Sequence, residues 1–181
     1  KSTLMNILVD NHQPDDGGEI LIDNKQVNIT DFNHSRSLGI AIVYQERSLI
    51  DSLSIAENIF ANRLPTNRWG FVDYQALHHQ TNQILEKLGL SFLEPKTLVS
   101  ELSTAQKQMV EIGKALSQNP KVLILDEPFQ GLDAERTSLV QALFSQLADS
   151  ERTILQIAHE ESEILDCIQK RARIEEGRLK I

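Results

Sequence analysis

Two adjacent carboxylates, Asp126 and Glu127, follow directly on four apolar residues, Val122 to Leu125, in the stretch KVLILDEPFQGLD. A continuous apolar run of this length, stopped by Pro128, predicts a strand buried on both faces, as in a parallel sheet. Acids at the end of such a strand stand at the carboxyl edge of the sheet, where open α/β folds bind ligands. Side chains alternate across a strand, so two neighbouring acids cannot serve the same face and are free to take different duties. On its own the segment reads equally as an ordinary strand followed by an exposed acidic turn.

Other residues add to this chemistry. Lys1-Ser2-Thr3, ahead of an apparent helix, matches the last positions of the phosphate-binding loop G-x-x-x-x-G-K-[ST] without its glycines. In that loop the lysine reaches the β- and γ-phosphates, the hydroxyl binds Mg2+, and the helix start adds N–H groups and a positive dipole end. Three letters alone describe an ordinary helix start just as well. Gln45 follows the apolar run Ile40 to Val43, and His159 ends the apolar run Thr153 to Ala158. Each, by itself, also reads as an exposed polar side chain. Ser103 and Gln106 form an S-x-x-Q capping box, which predicts a helix start there and with it a good anion site.

The elements that must position these groups alternate between strand and helix, most clearly in the second half, so the class is α/β. Residues 4–12 read as a helix and 18–27 as a hairpin around Asp23-Asn24. A short helix over 31–38 precedes the strand that starts after Gly39. Ser54 caps a helix to Ala61, with Glu57 at its third position. Asp73 caps a long helix with Tyr74, Leu77, Thr81, Ile84, Leu85 and Leu88 on one face, ended by Gly89. The helix after Ser103 buries Met109, Ile112, Gly113 and Leu116. A helix over 134–148 turns Leu139, Val140, Leu143, Phe144 and Leu147 inward. The strand over 153–158 is buried, 160–169 returns as a helix, and the tail is a hairpin around Glu176-Gly177.

The totals narrow the function. With 181 residues, 40% apolar and 24% charged, the chain suits one soluble domain with a real core. A net charge of −8 without any run of lysine or arginine disfavours nucleic acid as a partner. The single cysteine, Cys167, has no internal partner for a disulfide, as expected of a reducing cytosolic protein. No stretch approaches the ~20 apolar residues of a membrane span, so any membrane role is exercised from the surface through a partner.

In the order KST, LSTAQ, LILDEP, GLD and a strand-end histidine, these stretches resemble the nucleotide-binding domain of an ABC transporter ATPase over essentially the whole chain. The resemblance implies a P-loop NTPase core with a mostly parallel sheet, an ABC-type helical subdomain at about 54–118, and a small antiparallel β part. It implies ATP and Mg2+ as cofactors. Lys1, Ser2 and Thr3 would hold the phosphates, Ser2, Gln45 and Asp126 the metal, Glu127 the attacking water, and His159 the γ-phosphate. Leu102, Ser103, Thr104, Ala105 and Gln106 correspond to the LSGGQ signature, which faces the nucleotide of a second ATP-binding domain packed head to tail. Asp133 belongs to the loop that crosses the same interface.

Departures narrow the subfamily. The alanine at the fourth signature position, the following QMVEIGKAL, and the stretches QERSLIDSLSIAENIFANRLP and RWGFVDY resemble ATPases of ribose, galactose and xylose import. That implies a peripheral subunit on the cytoplasmic side of the inner membrane, working with permease subunits and, through them, a sugar-binding protein. Tandem ATPase domains are usual there, and retention of Glu127 matches the first copy. Phe129-Gln130 replaces small hydroxylated residues. A non-transport ABC ATPase and an inactive fragment are the alternatives. The opening KSTLMNIL reads as the interior of a helix, with the true N-terminus upstream. Because the phosphate loop's glycines are missing, residues 1–181 alone are expected to bind MgATP far more weakly than a complete domain. Isothermal titration giving micromolar affinity would overturn that expectation.

Overall fold

Turn and capping residues decide where the elements of this chain begin and end. A computed structural model of the protein describes residues 7–8, 18–44, 48–129, 131–148, 152–158, 164–170, 173–175 and 178–180. Strands β1 (Ile20–Ile22) and β2 (Lys25–Val27) pair antiparallel, joined by Asp23 and Asn24 at φ +51° and +60°. Two successive positive φ values match the twist of a tight hairpin, and Asp and Asn tolerate them. Helix α1 (Phe32–Ser37) is capped by Asp31, whose carboxylate accepts from the His34 backbone N–H at 2.8 Å. Gly39, at φ +83°, turns the chain into β3 (Ile40–Val43), and a side chain there would press on Lys121 at 3.1 Å.

Three helices then intervene before the next strand. Helix α2 (Ile55–Ile59) starts at a capping box in which Ser54 and Glu57 bond each other's backbone N–H. Helix α3 (Tyr74–Lys87) is capped by Asp73 and ended by Gly89 at φ +66°. Helix α4 (Thr104–Leu116) starts at the Ser103–Gln106 box. They meet at Gly113, where an added Cβ would lie 3.0 Å from both Ile84 and Leu88. The chain continues through β4 (Val122–Asp126), α5 (Ala134–Ala148) and β5 (Thr153–Ile157), then β6 (Arg173–Glu175) and β7 (Arg178–Lys180), which pair antiparallel.

Strands β3, β4 and β5 form a parallel sheet with β4 in the centre. Alternation along β4 splits its apolar residues between two cores. Leu123 and Leu125 enter the large cluster with the helices, whereas Ile124 joins Ile29 and Ile40 on the other face. All three are essentially inaccessible to solvent. The α/β architecture expected from the sequence, a parallel sheet with helices and small antiparallel parts, is the one observed.

Four local expectations need correction. Tyr74 is 57% exposed, because the first residue of α3 lies beyond the core and the buried face begins at Leu77. Leu139 points out at the edge of α5, where its tip covers the bare backbone of Gly89. Strand β5 is only half-buried, since among the described strands it has a neighbour on one side only. Residues 164–170 form turns rather than a helix: Leu165 is buried, and its N–H donates to the Gln156 side chain at 2.8 Å.

Asn58 was not visible as a structural residue in the sequence. Its amide nitrogen donates to the carbonyls of Ile50, Leu53 and Ser54, and its oxygen accepts from the Ile50 N–H at 2.8 Å. It is 1% exposed, so a truncation strands several buried backbone groups. Asn58→Ala is expected to cost about 2–3 kcal/mol, and Phe144→Ala about 3–5 kcal/mol, in urea denaturation.

Candidate functional site

Asp126 is the last residue of β4 and lies opposite Ile157 of β5. By alternation it shares the strand face of Ile124, while Leu125 belongs to the opposite face. Glu127 then leaves the ladder in left-handed geometry, at φ +48°. Its backbone N–H donates to the Ile157 carbonyl at 3.3 Å. The two acids are therefore directed by different backbone conformations, and both are half-buried.

The chain is held tightly beyond them. Pro128 is buried, and Phe129 and Leu132 pack against the large core, so Phe129 works here as an apolar anchor. Gly131 takes φ +79° and an added Cβ would stand 3.2 Å from the Thr104 methyl, which brings the GLD turn against the start of α4. Asp133 accepts from the Arg136 backbone N–H at 2.9 Å and pairs with its guanidinium. The backbone hydrogen bond from Arg136 is the main cause holding this carboxyl below its ordinary range.

At the signature segment, Leu102 is buried while Ser103 and Thr104 are exposed. Ser103 Oγ accepts from the Gln106 N–H at 3.3 Å, and Gln106 Oε1 accepts from the Ser103 N–H at 2.8 Å. Gln106 thus spends its side chain on the cap. Ala105 continues the helix without strain. The leading N–H groups of such a helix have no intrahelical acceptor, which leaves them suited to an anion.

Sequence reasoning missed the polar side of α4. Gln108, 4% exposed, donates through Nε2 to the Pro128 carbonyl at 3.2 Å. Glu111, 5% exposed, accepts from both the backbone N–H and the hydroxyl of Ser48, and Lys114 donates to the same hydroxyl at 2.8 Å. Lys107 pairs with Asp51 at 2.7 Å. The available signal was Gln108 and Glu111 lying inside an otherwise apolar stripe. Arg63 was missed too: its guanidinium donates to the Ile59 and Ser117 carbonyls, closing the ends of α2 and α4, and burial pushes its pKa down. Lys1, Ser2, Thr3, Gln45 and His159 lie outside the described residues.

A parallel sheet whose central strand ends in Asp-Glu, with a capped helix start and a glycine turn brought close to that end, defines an α/β fold with a polar carboxyl edge suited to a ligand. A family model described as ABC transporter matches residues 1–130, and the chain belongs to that family. It is 37% identical over 177 residues to the ribose import ATP-binding protein RbsA of Chromobacterium violaceum, covering 98% of this chain and 35% of that protein. It is 34% identical over 178 residues to the arabinose import ATP-binding protein AraG of Chromohalobacter salexigens, again covering 98% and 35%. The chain therefore spans about a third of the length of these relatives. Among solved structures, an ABC-transporter ATP-binding cassette in its ADP conformation superposes with a TM-score of 0.74 at 26% identity, covering 93% of this chain and 69% of that one. A dimeric cassette in a post-hydrolysis state, bound to ADP and Pi, gives the same score at 24% identity over 90% of this chain and 71% of that one, which speaks for the fold alone.

The capping carboxylates set an acid limit. Glu57 is held below its ordinary 4.5, first by the Ser54 hydroxyl and then by the Ser54 N–H, and Asp31 and Asp133 lie below 3.8. A depressed carboxyl contributes stability that is present above its unfolded value and lost as pH falls through the folded one. The thermal midpoint is expected to fall below about pH 4.5, and Glu57→Gln to flatten that fall, in scans at pH 7, 4.5 and 3.

Proposed function

We propose that the protein carrying this chain is the ATP-hydrolysing subunit of a monosaccharide importer. The observation that carries the reading is the pair Asp126-Glu127 at the end of the central strand, split by alternation and by the left-handed turn. The import proteins for ribose and arabinose that match nearly all of the chain support the substrate class.

Asp126 is the metal ligand of this site, with Ser2 and Gln45 supplying further oxygens. The donor set suits Mg2+, which takes one or two carboxylates and fills its shell with water and phosphate oxygens. Held there by Asp126, Ser2 and Gln45, the ion would supply positive charge to offset the negative charge of the nucleotide phosphates. Glu127 orients and polarises the attacking water, and His159 contacts the γ-phosphate. Lys1, Ser2 and Thr3 bind the phosphates of the same nucleotide. Phosphoryl transfer asks mainly for positioning and charge neutralisation, which these groups provide.

The start of α4, Leu102 to Gln106, serves a nucleotide held by a second ATP-binding domain, and Asp133 lies at that head-to-tail interface. Residues 54–118, with α2 to α4, form the helical subdomain that meets the permease. No helix among the described residues is long and apolar enough to cross a membrane. In the importer proposed here the subunit sits on the cytoplasmic face and receives its sugar-dependent signal through the permease from a binding protein.

Glu127→Gln in the complete transporter is expected to lower kcat by about 10²–10⁴-fold while ATP affinity stays within about twofold. ATPase assays with parallel nucleotide titrations check both. Persistent turnover would remove Glu127 from its role. Asp126→Asn should instead weaken the Mg2+-dependent part of nucleotide binding, read by titration with and without the cation.

A further inference from the structure

Glu127 holds a backbone conformation that costs a non-glycine residue energy, and such a conformation persists only where the surroundings enforce it. Ile157 secures one end of the turn by accepting the Glu127 N–H. The other end is the carbonyl of Pro128, the next residue, and its donor is the side chain of Gln108. That donor comes from the second turn of α4, the helix whose first residues are the signature segment. Gln108 is nearly inaccessible to solvent, and Pro128 is buried as well, so water cannot readily replace the bond. Thr104, at the start of the same helix, lies against Gly131 at the far end of the turn.

We propose that Gln108 is a positioning residue of the hydrolytic site, fastening the Glu127-Pro128 turn to the signature helix within one chain. A shift of α4 is then passed to the Glu127-Pro128 turn through this side-chain amide, beside the Thr104 contact at Gly131. The structural half of this inference stands by itself, and its catalytic half rests on the role proposed above for Glu127.

Two measurements separate these halves. Gln108→Met keeps the length and burial of the side chain and removes the N–H donor. In hydrogen exchange on the 181-residue chain, the amides of Glu127 and of residues 129–132 should exchange about tenfold faster while those of α3 and the middle of α4 keep their rates. Unchanged exchange over 127–132, or equal acceleration everywhere, would overturn the clamp. Should the methionine variant not fold, Gln108→Asn shortens the reach by one methylene and is read in the same way. In the complete transporter, Gln108→Met should lower kcat by at least about tenfold with the KM for ATP within about twofold, since small misplacements of a catalytic group cost rate rather than binding. If kcat holds in that variant while Glu127→Gln is inactive, the positioning role is wrong. If Glu127→Gln is itself active, the functional reading fails and the exchange result still decides the clamp.

Discussion

Strand β4 is hydrogen-bonded to a parallel neighbour on each side and covered by apolar packing on both faces, and that double enclosure governs where charge can stand. Within the strand an ionised group would have to give up water without a partner, so its interior is Leu123, Ile124 and Leu125. At its carboxyl end the enclosure stops, and both acids appear there at once. Parallel pairing also puts the ends of β3 and β5 at the same edge, with Val43 opposite Leu125 and Ile157 opposite Asp126. The edge that can carry charge is thus the edge at which several strands deliver their following residues.

Parallel neighbours cannot be joined by a hairpin, and this chain makes the β3-to-β4 crossover long. Helices α2, α3 and α4 lie inside that crossover and pack on one another around Gly113, closely enough that a side chain there would need its neighbours to give way. The crossover is anchored by groups that resist water: Asn58 organises the backbone from residue 50 to 54, and Arg63 closes two helix ends while lying over the Phe60 ring. Both are polar side chains used where backbone carbonyls would otherwise be stranded.

Helix α4 faces three ways. Its apolar side, with Met109 and Ile112, belongs to the large core. Its polar residues Lys107, Glu111 and Lys114 hold the segment from Ser48 to Asp51, which comes after β3 in the chain. Gln108 reaches the turn after the two acids. A single helix consequently touches the segment that follows β3, the turn after β4 and the signature residues that begin it.

Much of this was open to a reader of the sequence. Local chemistry announces itself locally: Asp23-Asn24 as a tight turn, Ser54 with Glu57 and Ser103 with Gln106 as helix starts, and VLIL as a strand enclosed on both faces. Order and spacing of short motifs were enough to name the family. What the sequence could not show were the outcomes set by distant neighbours. Tyr74 and Leu139 match their helical stripes yet lie at the edge of the core, and the apolar run of β5 is covered less than its composition suggests because its far side carries no described strand. The left-handed turn at Glu127 has no glycine to advertise it, and the position of Gln108 beside an apolar stripe hints at burial without naming the carbonyl it meets. Each depends on which groups approach across the fold, and periodicity records only which face a residue occupies, not what meets it there.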